Sequence, residues 1–313
     1  MNPVYSVVIP CYNEEESIKE THRRLSAVMR GMGEAYELVY VNDGSRDKTP
    51  ELLDKLADGD KNVRVLHFAA NRGHQLAVSA GLDYAVGDAI VIIDADLQDP
   101  PEVIPKMAAR WKDGAQVVYG KRRSRAGETK FKEFTAKVYY RLLRKIAGDI
   151  FPEDTGDFRL VDKQVADVLR GMPEHARYLR GMFAWVGFKQ EALLYDRDKR
   201  FAGETHYPLK KMLRLAANGI MSFSEKPLLW ALWLGLLWLA ASGILFLAAL
   251  IMAIARKDAG GMLLYAVISL ASGSVLSALG VLGAYVARIY DEVKGRPLYV
   301  VARTRGYEED ADG

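Results

Sequence analysis

Two stretches, residues 227–255 and 259–287, contain no Asp, Glu, Lys or Arg. Each runs to about 29 residues, longer than the ~20 apolar residues a helix needs to cross a bilayer core. A purely water-soluble fold is excluded by this alone, because neither stretch has a polar face to turn to solvent. The charge lies elsewhere: 43 Lys and Arg and 40 Asp and Glu in 313 residues, for a formal net charge of +3. The mean hydropathy of -0.06 is therefore an average over two unlike parts. The expected organisation is a polar body over 1–226, a two-helix membrane hairpin over 227–290 and a cytosolic tail over 291–313.

Cys11 is the only cysteine, so an intramolecular disulfide, a Cys-rich zinc site and a CxxC redox pair are all excluded. The N-terminus has no basic segment followed by an apolar one, so the body is expected on the cytosolic side. Two spans return the chain to that side. Arg288, Lys294, Arg296, Arg303 and Arg305 follow the second span as positive-inside flanks, weakly opposed by Arg256 and Lys257 in the short loop. Both termini are thus expected in the cytoplasm of a multi-pass protein of the inner (plasma) membrane. Neither span holds an ionisable residue, so they read as anchors rather than as an ion path. Ser269, Gly273 and Ser277 recur at four-residue spacing, a small-residue face from which a homo-oligomer is expected.

The first 120 residues alternate β-branched apolar runs with amphipathic segments, the pattern of a parallel α/β sheet with crossover helices. The runs are 5–9, 37–41, 63–68, 89–93 and 116–119, and helices are expected to begin near Glu14, Lys48, His74 and Pro101. Open α/β sheets bind ligands at the carboxyl ends of their strands. Four polar clusters fall there: Pro10-Cys11-Tyr12-Asn13-Glu14, Asn42-Asp43-Gly44-Ser45, Asn71-Arg72-Gly73-His74 and Asp94-Ala95-Asp96-Leu97-Gln98. The first turn carries acids where a dinucleotide fold has GxGxxG, and GxxxxGK[ST] is absent, which argues against dehydrogenases and P-loop NTPases. Asp94 and Asp96, with Gln98 as a third donor, offer hard oxygens of the kind that hold Mg2+ or Mn2+ against substrate phosphates.

Between Lys121 and Lys145 ten Lys or Arg face two Glu, interleaved with Phe131, Phe134, Tyr139, Tyr140, Leu142 and Leu143. This composition predicts an interfacial amphipathic helix at about 129–147, cations toward anionic headgroups. A second such helix is expected over 208–223, leading into the first span.

Eight phrases in order, VVIPCYNEEESI, YVNDGSRD, NRGHQLAVSAGLDYA, DADLQDPPE, DTGDFRL, YLRGMFAWVGF, RFAGETHYPLKK and RIYDEVKGRPLY, resemble those of family 2 glycosyltransferases of the polyprenyl-phosphate type. The resemblance covers almost the whole chain. It implies a GT-A (Rossmann-like) domain followed by interfacial helices and two transmembrane helices. It also implies transfer of a hexose from a nucleotide diphosphate donor to polyprenyl (undecaprenyl) phosphate, with inversion, at the cytosolic membrane face, for cell-envelope glycan modification. UDP-glucose is the expected donor, ahead of UDP-N-acetylhexosamine and GDP-mannose, and no nucleic-acid partner is implied. The rival outside enzymology is a non-catalytic lipid-carrier or flippase subunit, against which Asp94, Asp96 and Arg200 argue.

Carried over residue by residue, the resemblance implies that Pro10, Tyr12, Asn13, Glu14, Asp43 and Asp94 hold the nucleotide, and that Asp94, Asp96 and Gln98 hold Mg2+ or Mn2+. Arg122 is implied near the phosphates, Asp157 and Arg159 near the sugar, and Arg200 with His206 at the acceptor phosphate. Two positions depart from the usual pattern: Asn42 stands where Asp is frequent, and His206 where Lys is expected. A chain ending near Ser224 is expected to keep the nucleotide site, since every implied donor contact precedes the spans.

Overall fold

The computed structural model describes residues 3–123, 155–198, 226–254 and 260–307. The five apolar runs form β1 (Tyr5–Cys11), β2 (Tyr36–Asn42), β3 (Val63–Phe68), β4 (Ala89–Ile92) and β5 (Val117–Arg122). Every residue of β1 and β4 is buried, as uninterrupted apolar strands covered on both faces must be. Between the strands run α1 (Ile18–Met32), α2 (Thr49–Gly59), α3 (His74–Tyr84) and α4 (Ile104–Lys112), the last entered through a 3-10 turn at Pro101–Val103. Helix α1 begins after Glu14, not at it. Glu14 instead closes a turn, its carbonyl accepting from the Ser17 and Ile18 amides at 3.1 and 3.0 Å, which leaves it in the loop beyond β1.

The sheet has eight strands in the order β7-β5-β6-β4-β1-β2-β3-β8. Strands β1 to β4 are mutually parallel where they pair, as expected. Three further strands, outside the first 120 residues, make the sheet mixed on both flanks. Strand β6 (Thr155–Asp162), which carries most of the DTGDFRL phrase, lies antiparallel between β4 and β5. Strand β7 (Gln190–Tyr195) runs parallel to β5, and β8 (Val301–Arg305) antiparallel to β3. These strands carry Asp157, Arg159, Glu191, Arg303 and Arg305 among their apolar residues, so periodicity does not mark them out.

Period-two alternation divides the core. Tyr5, Val7 and Ile9 pack with Leu25, Met29, Leu53, Ile104 and Met107 on the face covered by α1, α2 and α4. Val8, Val39, Val41 and Ile92 pack on the other face with Ala77 and Val78 of α3 and with Val165 and Phe183. The last two belong to α5 (Lys163–Arg170) and α6 (Leu179–Trp185). Helix α5 is capped by Asp162, whose carboxylate accepts from the Gln164 amide at 2.9 Å. Helix α3 approaches β1 so closely that a Cβ at Gly81 would stand 2.1 Å from the Val8 Cγ1 atom.

The two charge-free stretches form α7 (Lys226–Ile254) and α8 (Gly260–Val293), 29 and 34 residues. At 1.5 Å per residue the shorter reaches about 43 Å, enough for a ~30 Å hydrocarbon core. Windows at Gly235–Met252 and Leu270–Val293 have mean hydropathies of 2.3 and 1.7 and no buried residues, so both helices are long and apolar enough to cross a membrane. The C-terminal end of α8 is tied to the body: the Glu292 carboxylate accepts from the His175 amide at 2.9 Å, and the His175 ring meets it at 2.9 Å. After α8 the chain returns to the sheet. Tyr299 stacks on Phe68 at 5.1 Å, the Ala69 amide donates to the Val300 carbonyl at 3.0 Å, and β8 follows. Part of the 291–313 tail is therefore an edge of the same sheet. The expected interfacial helices at 129–147 and 208–223 lie outside the described residues, as do Arg200 and His206.

Candidate active site

The loops that leave β1, β2, β3 and β4 at their carboxyl ends meet around one cavity of about 940 Å3. Pro10, Tyr12, Glu14, Asp43, Asp94, Asp96 and Asp157 all line it. Two of these loops hold residues in the left-handed region without being glycine, Asn13 (φ 56°) and Leu97 (φ 57°), a strained conformation that clusters at ligand-binding sites. The Tyr12 ring is 44% exposed, an aromatic face open to a planar group.

Asp43 is buried and organises the β2 and β3 loops. Its carboxylate accepts from the Arg72 and Gly73 amides at 2.6 and 2.8 Å and from the Asn71 side-chain amide at 2.9 Å. Burial pushes its pKa up, and the two backbone donors only partly offset this. The close approach requires Gly44: at φ 66°, a Cβ there would lie 2.5 Å from the Asn71 nitrogen. The β1 and β2 loops interlock as well, with the Asn13 amide donating to the Ser45 hydroxyl at 3.0 Å and the Arg46 amide to the Asn13 side chain at 2.9 Å.

At the far side Asp94 and Asp157 are bridged by His74, whose ring nitrogens lie 2.7 and 3.9 Å from the two carboxylates. Burial works against a charged imidazole here, but the Asp94 carboxylate prevails and pushes the His74 pKa up to about 9. Asp157 also receives a forked pair from Arg180 at 2.8 and 3.0 Å. Burial would raise its pKa, but the Arg180 guanidinium wins and holds the carboxyl well below the usual range. Asp157 is thus a permanent anion and a poor base. Asp96 accepts from the Gln98 amide at 3.1 Å.

The donor set fits a hard divalent cation. Among the described residues no group of three or more His, Cys, Asp and Glu forms a closed metal cage. Two carboxylates at the rim of an open cavity leave positions for phosphate oxygens and water, the arrangement a Mg2+ or Mn2+ site uses.

Four expected residues are not among those lining the cavity. Asn13 locks the adjoining loop, as described. Gln98 meets the segment after β7, its carbonyl accepting from the Asp198 amide at 2.9 Å. Arg122 has a buried Nε with no hydrogen-bond partner among the described residues. Arg159 is 4% exposed, stacks on Phe183 at 4.2 Å and donates to the Gly156 carbonyl at 3.0 Å. Burial lowers its pKa to about 10, so it stays charged and braces the backbone that presents Asp157. Sequence reasoning assigned no role to His74 or Arg180. Both stand in quoted phrases, His74 six residues past the end of β3 and Arg180 in YLRGMF, but the acids they meet, Asp94 and Asp157, are 20 and 23 residues away.

Residues 6–170 match the model of glycosyl transferase family 2. The chain is 49% identical over 307 residues to the uncharacterized glycosyltransferase YkcC of Bacillus subtilis (strain 168), covering 97% of this chain and 95% of the relative. It is 37% identical over 304 residues to the prophage bactoprenol glucosyl transferase homolog of Escherichia coli (strain K12), covering 96% and 99%. It is also 37% identical over 302 residues to the bactoprenol glucosyl transferase of Shigella phage SfII, covering 96% and 97%. The protein is a glycosyltransferase with a GT-A domain, and it belongs to glycosyl transferase family 2.

Proposed function

We propose that the enzyme transfers a hexose from a nucleotide diphosphate sugar, UDP-glucose first among candidates, to polyprenyl phosphate at the cytosolic face of the plasma membrane. The observation that carries the reading is the cavity itself. Asp94 and Asp96, at a strand's carboxyl end, line it together with the exposed Tyr12, in a chain that also carries two membrane-length apolar helices. The bactoprenol glucosyl transferases similar to it over 95% or more of its length support the acceptor class.

Tyr12 offers its face to the base, and Pro10 and Glu14 wall the same end, while Asp43 fixes the loop shape. Asp94 and Asp96 would hold Mg2+ or Mn2+, with Gln98 next to them; the cation supplies charge neutralisation for the departing diphosphate. Arg122, at the end of β5, is the cation the resemblance offers for the same phosphates. Asp157, held ionised, suits a sugar hydroxyl as hydrogen-bond acceptor.

In the transfer, a phosphate oxygen of the lipid forms a bond to the anomeric carbon as the bond from that carbon to the diphosphate breaks, which inverts the centre and releases NDP. The acceptor needs no general base. A phosphate monoester has its second pKa near ~6 and is already largely dianionic at neutral pH. What it needs is a cation to hold it against an anionic donor, the role assigned to Arg200 and His206. A screen of UDP-glucose, UDP-N-acetylglucosamine and GDP-mannose for NDP release, with and without undecaprenyl phosphate, tests the reading. Release from one donor that depends on the lipid is expected, and release indifferent to the lipid would overturn it.

A further inference from the structure

The chain that leaves the membrane hairpin reaches back to the nucleotide loop through a continuous line of hydrogen bonds. On β8, Arg303 grips Asp54 of α2 with both terminal nitrogens, at 2.9 and 2.7 Å. Asp54 meets the His67 Nε2 of β3 at 3.0 Å, and the His67 Nδ1 meets the Asn42 side-chain nitrogen at 3.0 Å. The Asn42 side-chain oxygen accepts from the Ser45 amide at 3.1 Å. Ser45 in turn receives the Asn13 amide, next to Tyr12 on the cavity wall. We infer that Arg303 is a positioning residue for the nucleotide site, acting through Asp54, His67 and Asn42 on the loop that carries Asp43. The inference rests on the proposed role of that loop in holding the donor.

The bonding pattern fixes the protons. Because the Asn42 oxygen is taken by the Ser45 amide, its nitrogen faces the ring and must donate, so Nδ1 carries no proton and Nε2–H donates to Asp54. The line therefore works only with a neutral imidazole. A protonated Nδ1 would confront the Asn42 amide donor with donor. Asp54 from α2 and Arg303 from β8 are the charged groups acting on His67, which is 4% exposed. Asp54 favours the imidazolium, whereas burial and Arg303 both disfavour it. Removing Arg303 thus leaves an unbalanced carboxylate beside the ring and unlocks Asn42 from below. The pattern also accounts for Asn at position 42: an Asp there would flank His67 with two carboxylates and charge it.

The test uses the full chain in phospholipid nanodiscs, with Arg303→Met, Arg303→Lys and, as a control, Arg305→Met. The control breaks the Arg305–Asp58 pair on the same strand, 2.9 Å long and remote from His67. The readouts are UDP binding without acceptor, the KM for each substrate at pH 6 and pH 8, and the melting temperature. R303M is expected to weaken UDP binding and raise the donor KM by about five- to tenfold at pH 6 and less at pH 8, with the acceptor KM unchanged. R303K is expected to recover part of the loss, because a point charge replaces a fork, and R305M to match the wild type. Unchanged UDP binding in R303M, or an equal loss in R305M, overturns the inference. If R303M does not fold, R303K decides by the same donor-specific split. A wild type that binds UDP but transfers nothing to lipid phosphate would instead strike the proposed reaction and leave the positioning role to be read from UDP binding.

Discussion

Asp157 and Arg180 make the residue-scale argument most plainly. A carboxylate near the start of β6 invites the role of general base, yet the forked contacts at 2.8 and 3.0 Å make it a weak one. Its folded-state pKa lies below the unfolded value of ~3.9, so the stability it contributes is present above about pH 4 and is lost as the pH falls below that. Arg180→Met strands the buried anion and should cost about 3 kcal/mol at pH 7, with the gap to wild type narrowing below pH 4, as chemical denaturation at the two pH values would report. Equal gaps at pH 7 and pH 3 would mean the pair is not the source. Asp96→Asn carries a different expectation. A neutral amide is a far weaker ligand for a hard dication, so turnover should vanish while the melting temperature stays within a few degrees; wild-type rates would remove Asp96 from the mechanism. Asp43, Asp94 and Asp96 were legible in the sequence because each stands one to three residues past the end of an apolar run. His74 and Arg180 were not, because their partners lie 20 and 23 residues away and only the fold brings them together.

At the scale of elements, the sequence supports β1 to β5 to within a few residues, since an uninterrupted apolar run has few other uses. Strands β6 and β8 escaped because charged residues interrupt their apolar runs, Asp157 and Arg159 in the first and Arg303 and Arg305 in the second. The consequence for β8 is concrete. A chain ending at Ser224 loses Arg303, the Tyr299 ring on Phe68 and the β8 pairing on β3, leaving a bare sheet edge of the kind that aggregates. Relative to the full chain, it should melt several degrees lower and bind UDP more weakly, and restoring 294–307 through a short linker should recover both. Equal melting and equal UDP affinity without β8 would show that the edge strand is a passenger.

For the whole molecule, the body and the hairpin answer different solvents. Trp233, Phe246 and Leu276 are 67, 69 and 68% exposed, apolar surface of the kind a lipid bilayer covers. The His175 contact to Glu292 ties the end of α8 to the cavity wall that His175 itself lines. On the proposed function, a membrane crossed by the hairpin would hold the cavity near an acceptor anchored in the same plane. The most direct test follows radiolabelled hexose from UDP-glucose into the organic phase with undecaprenyl phosphate in proteoliposomes, in Mg2+, Mn2+ or EDTA. The account predicts one label per lipid phosphate, an acid-labile product, and none in EDTA or with D96N. Label that stays in the aqueous phase with every nucleotide sugar offered, or that reaches the lipid equally well in EDTA, would contradict it.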